Sequence, residues 1–231
     1  MASRLDPVAA VFFDVDFTLI YPGPTFQDDG YGQFAARFGI EVDRSRFNAA
    51  VRAASSILDE AQEHVYDGEI FVRYTRRIVE VMGGTGERLD DCAREIYREW
   101  ATNQHFHLYD DVTPVLSELA RREVKIGLIS NSHRCLSSFQ QHFALDGLIA
   151  AAVSSSEHGY MKPHPSIFEA ALTRAGVIAS ESVMVGDSLS HDIDGARRVG
   201  MRGVLVHRSD DPPPDTDVPV IRTMTELLSV L

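Results

Sequence analysis

The sequence predicts an α/β chain: a doubly wound parallel sheet interrupted by an all-helical insertion. Three observations carry this reading. Several short apolar runs lack helical period and stay apolar at successive positions, as strands of a sheet covered on both faces do. From residue 111 onward such runs alternate with helical patterns. Between residues 22 and 108 the alternation stops, and only helical periodicity is found.

Taken in order, the first strand is read at 8–16, where VAAVFF runs into Asp14 and Asp16. Pro22-Gly23-Pro24 then breaks the chain. In the insertion, Phe47, Val51, Ala54 and Leu58 share one helical face, with Asp43 as its N-cap. Ile70, Phe71, Tyr74, Ile78 and Val81 line a second helix, closed by Gly83-Gly84, and Leu89, Cys92, Ile96 and Trp100 line a third. Beyond it, a helix at 114–122 opens on Pro114, and another at 165–175 opens on Pro165 and stops at Gly176. Strands are read at 124–130, 149–154, 182–187 and 203–207, and further helices at 192–199 and 224–231. DDPPPDT at 210–216 is a local polar loop. The predicted division is therefore a core made of 1–21 with 109–231, and an inserted helical domain at 22–108. The connectors near 20–24 and 105–112 are expected to hinge.

The chain has 231 residues, 44% hydrophobic and 24% charged, which is ordinary globular composition. Its formal charge of −12 argues against a nucleic-acid backbone or an anionic membrane as partner, while leaving room for a small anionic substrate. Cys92 and Cys135 make no disulfide framework and are read as buried free thiols. The N-terminal apolar run is too short for a signal peptide, and no window approaches 18 uninterrupted apolar residues, so the expected location is cytoplasmic. Monomer and homodimer both fit the pattern.

The chemistry collects at strand ends. Residues two apart in a strand face the same way, so Asp14 and Asp16 point together at the carboxyl end of the first strand, where open α/β sheets bind ligands. A later strand ends in Ser130-Asn131, another in Gly186-Asp187, with Asp192 close behind. Lys162 precedes a proline, which places it on a loop. Two carboxylates about 5 Å apart repel by roughly 3 kcal/mol at an effective dielectric of 20, so such a cluster calls for a cation. Hard oxygen ligands suit Mg²⁺, which bridges carboxylates to phosphate.

Asp14-Val15-Asp16-Phe17-Thr18-Leu19, then Ser130-Asn131, then Lys162-Pro163, then Gly186-Asp187 through Asp192, resemble in order and spacing the haloacid dehalogenase superfamily of hydrolases. The resemblance spans the chain and implies a Rossmann-like core, with the insertion as a helical cap. It implies that Asp14 is the nucleophile, forming an aspartyl-phosphate, and that Asp16 protonates the leaving oxygen and later takes a proton from water. It implies Mg²⁺ on the Asp14 carboxylate, the Asp16 backbone carbonyl and the Asp187 carboxylate, with Asp192 holding a metal-bound water or orienting Lys162. Ser130, Asn131 and Lys162 would hold the phosphoryl oxygens. One position departs from the pattern: Phe17 stands where glycine is usual, and the turn is expected to be more extended for that reason.

The activity so implied is Mg²⁺-dependent hydrolysis of a small phosphorylated metabolite. A phosphomutase keeps all four motifs and remains open. A 2-haloacid dehalogenase fits less well, because halide needs no proton and Asp16 would be idle. A phosphonate-cleaving relative that uses a cap lysine is disfavoured, because the insertion contains no lysine. A phosphate- or metal-binding scaffold without turnover is the reading from a different class. His133 and His164 are read as surface or helix-start residues, and Arg73, Arg76 and Arg77 as a solvated helix face.

Overall fold

A computed structural model describes residues 8–60 and 62–231, so the first seven positions of the predicted core lie outside the described residues. The strands in chain order are β1 Ala10–Phe13, β2 Ile20–Pro22, β3 Phe106–Leu108, β4 Lys125–Ser130, β5 Ile149–Ser154, β6 Ser182–Gly186, β7 Arg202–Val206 and β8 Val220–Ile221. Six of them form one sheet in the order β5-β4-β1-β6-β7-β8, parallel at every pairing. The chain builds outward from β1 to β4 and β5, then returns to build β6, β7 and β8 on the other side. β1 therefore stands at the topological switch point, where the crevice at the strands' carboxyl ends opens.

The sheet is apolar on both faces because helices cover both. Phe12, Ile129, Val153 and Met184 form one buried cluster with Ile167, Phe168 and Ala171 of the helix Pro165–Ala175. By the pleat, Val11 and Phe13 face the other way, and both are fully buried. Each large apolar side chain so enclosed contributes about 1.5–3 kcal/mol. Helix Pro165–Ala175 has the bounds expected of it: Pro165 opens it, His164 caps it by accepting the Ser166 N–H at 3.2 Å, and Gly176 ends it at φ 63°. The C-terminal helix Met224–Val230 is tied in at Asp111, which accepts the Met224 N–H at 2.8 Å and a two-pronged contact from Arg208 at 3.0 and 3.1 Å.

The chain divides into two compact units, one made of the segment through Tyr21 with Leu108–Leu231, the other of Pro22–His107. The second is helical: Asp28–Arg37, Phe47–Ala54, Gly68–Val81 and Leu89–Glu99, with short 3-10 turns between them. Phe26 lies 4.5 Å from Trp100 and 5.4 Å from Phe106 by ring centroids, forming its aromatic centre. Helix Asp28–Arg37 escapes sequence periodicity because two glycines weaken its pattern. Gly30 is there for packing, since a Cβ would stand 2.0 Å from the Thr25 carbonyl oxygen. Asp43 and Asp67 are both N-caps, accepting from Ser45 and Glu69 N–H. Helix Gly68–Val81 buries Ile70 and Ile78 as expected, but its inward face is shifted: Phe71, Tyr74 and Val81 are half-buried, and Thr75 is buried, with its hydroxyl donating to the Ala93 carbonyl at 3.0 Å. Arg73, Arg76 and Arg77 are exposed and paired with Glu60, Glu80 and Asp90, contacts worth about 0–1 kcal/mol each.

Two expectations need correction. Cys92 is buried but Cys135 is exposed, because it stands just before the helix Leu136–His142 rather than within it. Hydrogen bonds with Ser137 and Ser138 lower its thiol to about 7. Phe17 does not take an extended conformation. It adopts φ 65°, and its N–H donates to the Ile20 carbonyl at 2.7 Å, closing a tight left-handed turn at a cost of about 1–2 kcal/mol. No helix among the described residues is long and apolar enough to cross a membrane.

Gly127 pairs with Phe12 across β1 and β4, and a Cβ there would stand 2.3 Å from the Phe12 ring. Gly127→Ala is expected to destabilise by about 1–3 kcal/mol in urea unfolding, and adding Phe12→Leu should cost less than the two single changes summed. Strict additivity would show that the ring does not occupy that space.

Candidate active site

Each candidate group arrives from its own strand end. Asp14 directly follows β1, and its N–H donates to the Val185 carbonyl at 2.9 Å, which ties it to β6. Ser130 ends β4, Asp187 follows β6, and Asp192 lies in the π-helical turn Leu189–Ile193. Lys162 lies on the loop between the short helix Ser155–His158 and helix Pro165–Ala175, before a cis peptide bond to Pro163.

Lys162 is the hub. Its ammonium donates to Asp14 Oδ1 at 2.6 Å and to Asp192 Oδ1 at 2.7 Å, and its side chain is 2% exposed. Burial alone would lower this amine, but the Asp14 and Asp192 carboxylates outweigh it and hold the amine above its ordinary value. The loop is gripped by Asn131, whose Oδ1 accepts the Lys162 N–H at 2.7 Å while its amide N–H donates to the Lys162 carbonyl at 2.9 Å. The Asn131 side chain therefore grips the Lys162 backbone, with the second amide hydrogen of Nδ2 and the main-chain N–H outside these two bonds. Asp192 is committed on both oxygens, since Oδ2 accepts the Ser188 N–H at 3.0 Å. Its packing needs Gly186, where a Cβ would fall 2.3 Å from the carboxylate.

Oxygens of Asp14, Asp187 and Asp192 lie within 4.8 Å of one another. Burial raises the Asp14 carboxyl to about 6 against the opposing pull of Lys162, and the Asp192 charge adds to the rise. Asp187 remains open to solvent on one side, yet desolvation by surrounding protein, followed by the Asp14 and Asp192 charges, holds it well above the usual carboxylate range. Asp14 Oδ2 is buried and accepts no hydrogen bond among the described residues. Four carboxylates at Asp14, Asp16, Asp187 and Asp192 face two cations, Lys162 and Arg134. With all four ionised the cluster carries an uncompensated charge of two, and its all-oxygen donor set fits a hard divalent cation.

Arg134 was not anticipated. Four residues after Ser130, it is fully buried, and its guanidinium donates to Asp16 Oδ1 at 2.9 Å. Burial raises the Asp16 carboxyl and Arg134 opposes that rise. Nothing in the sequence separates this arginine from the others, because its partner lies 118 positions away. Ser130 Oγ meets Ser132 Oγ at 2.8 Å, and Ser132 Oγ accepts the Arg134 N–H at 3.4 Å, so one chain of contacts runs along the β4 edge. His164 is the helix cap described above, and its ring nitrogen also meets Ser166 Oγ at 2.8 Å.

A family model for haloacid dehalogenase-like hydrolases matches residues 8–200. The chain is 32% identical to N-acylneuraminate-9-phosphatase of Mus musculus over 229 residues, 90% of this chain and 86% of that protein. It is 30% identical to glyceraldehyde 3-phosphate phosphatase of Methanopyrus kandleri over 236 residues, covering 97% of each. Among solved structures, a HAD phosphatase from Thermococcus onnurineus superposes with a TM-score of 0.67 at 25% identity, over 96% of this chain and 97% of that one.

The raised Asp14 carboxyl makes stability depend on pH. The folded state holds this proton more tightly than the unfolded chain, whose carboxyl titrates near 3.8, so the contribution is complete below that pH and is lost as pH rises through about 6. Metal-free protein compared with Asp14→Asn, which carries no titrating group there, should lose on the order of 2–3 kcal/mol from about pH 4 to about pH 6. A stability difference that stays flat over this window would mean Asp14 titrates as in an open chain.

Proposed function

The chain belongs to the haloacid dehalogenase-like hydrolases, and on that premise we propose that it hydrolyses phosphate monoesters of small metabolites with Mg²⁺, through an aspartyl-phosphate on Asp14. The observation that carries this reading is the Asp14 carboxylate itself: Oδ1 is held by Lys162 at 2.6 Å while Oδ2 has no partner within hydrogen-bond geometry among the described residues, at the switch point of the sheet. An anchored carboxylate with one oxygen uncommitted is suited to attack, and unlike serine it needs no base to activate it. The relatives named as phosphatases of small phosphorylated compounds support the same class of substrate.

In this mechanism an Asp14 oxygen forms a bond to phosphorus as the ester oxygen leaves, and Asp16 gives that oxygen its proton. Asp16 then takes a proton from the water that attacks the aspartyl-phosphate, so inorganic phosphate departs and both carboxyls return to their starting states. Lys162 and Ser130 lie against the phosphoryl oxygens, where charge spreads in the transition state. Asn131 and Asp192 keep Lys162 in place from its backbone and from its ammonium. Mg²⁺ would be held by the Asp14 carboxylate, the Asp16 carbonyl and the Asp187 carboxylate, supplying positive charge that draws in the phosphoryl group and offsets its charge. Asp16 also favours phosphoryl over carbon–halogen chemistry, since a departing halide requires no proton.

Para-nitrophenyl phosphate should be turned over by the wild type, and Asp14→Asn should lower kcat by about 10³-fold or more. Turnover at the wild-type rate in Asp14→Asn would remove the nucleophile assignment.

Mg²⁺ should raise the thermal midpoint of the wild type, by the equivalent of about 2.7 kcal/mol at a hundredfold excess over its Kd. Asp187→Asn should abolish that rise, and EDTA should stop turnover. Equal shifts in both proteins would place the ion elsewhere.

A further inference from the structure

We propose that Arg134 is a positioning residue for the leaving-group step, holding the Asp16 carboxylate where it can reach the ester oxygen. The inference rests on the phosphatase reading above and goes beyond it by assigning a part to a residue outside the four motifs. Three observations support it. The Arg134 side chain is 0% exposed, and it donates to Asp16 Oδ1 at 2.9 Å. The Asp16 side chain is 18% exposed, so it retains a face toward solvent while one oxygen is fixed from behind. The guanidinium is set by the loop after β4, whereas Asp16 follows β1, so the contact fixes one strand-end loop against its neighbour.

Stability does not account for this arrangement well. Replacing a buried ion pair with apolar groups of similar volume is often neutral or stabilising, so enclosing an arginine here is a poor way to hold the fold together. Direct capture of the phosphoryl group fits no better, because the contact described for the guanidinium is with Asp16, whereas Lys162 donates to Asp14, the attacking group. What the contact does supply is a fixed orientation. A carboxylate on a tight turn otherwise samples several rotamers, and a displacement of about 1 Å can cost about 10²-fold in rate.

The test uses leaving groups of different quality. Para-nitrophenolate departs without a proton, whereas the alkoxide of an alkyl phosphate such as glycerol 3-phosphate needs one. Arg134→Met keeps the volume and removes the charge, and Arg134→Lys restores a single donor. In Arg134→Met, first-turnover release of the alcohol from the alkyl phosphate should slow by about 30-fold or more, short of or up to the 10²–10⁴-fold that proton transfer typically supplies, since Arg134 acts through Asp16. On para-nitrophenyl phosphate the first-turnover release of para-nitrophenolate should slow by less than about threefold, whereas steady-state kcat falls on both substrates, because hydrolysis of the aspartyl-phosphate also needs Asp16 as base. Arg134→Lys should recover part of the alkyl phosphate rate. Asp16→Asn should show the same selectivity in first-turnover release while losing steady-state turnover on both substrates, and the double variant should be no slower than Asp16→Asn alone. Equal losses in first-turnover release on both substrates, or additive losses in the double variant, overturn the proposal in favour of a purely structural arginine. Thermal midpoints are measured for every variant. If Arg134→Met does not fold, Arg134→Lys decides alone, and an equal loss in first-turnover release on the two substrates counts against the proposal. A wild type that hydrolyses neither ester is a separate result, overturning the phosphatase reading and this inference with it.

Discussion

Mutual repulsion among carboxylates governs this molecule. Asp14, Asp187 and Asp192 bring oxygens within 4.8 Å of one another at one end of a buried sheet, where each pair costs a few kcal/mol. Only a rigid frame with a fixed cation can hold such a cluster in a folded protein. Lys162 provides the charge, and most of the local architecture serves to aim it. Asn131 pins its backbone, His164 and Pro165 start the helix behind its loop, and Gly186 leaves room for Asp192. Burial, together with the repulsion that Lys162 leaves uncancelled, appears as raised proton affinity at Asp14 and Asp187. The same surplus of negative charge makes the site receptive to a divalent ion.

Much of this was legible in the sequence because the groups are carried by strand ends. A strand apolar on both faces announces its own burial, and a polar residue at its end is then conspicuous. Asp14, Ser130, Asp187 and Asp192 were found in this way. Lys162 is placed on a loop because proline follows it. Helix Pro165–Ala175 was bounded to the residue because Pro165 and Gly176 act through local backbone geometry alone.

What escaped has a common cause. Arg134 meets a partner 118 positions away, and no local pattern encodes that encounter. Asn131 was recognised as part of a motif, but its partner is a backbone that only the folded loop brings near. Helix Asp28–Arg37 was hidden because packing against the Thr25 carbonyl selected a glycine that helix propensity disfavours. Phe17 is the reverse case, a local preference overridden: Asp16 and Ile20 close the turn on either side of it, and the ring residue accepts a left-handed backbone.

The scarcity of lysine has a practical side. The chain contains only two side-chain amines, and they differ sharply in reach. Lys125 is exposed at the opposite end of the sheet, with its ammonium resting on the Ala175 carbonyl, whereas Lys162 is walled in between two aspartates. An acylating reagent thus meets one ready target and one that becomes nucleophilic only when the cluster around it comes apart. Mass spectrometry of the peptide carrying Lys162 would then record opening of the catalytic end separately from unfolding elsewhere, with Lys125 as the internal standard.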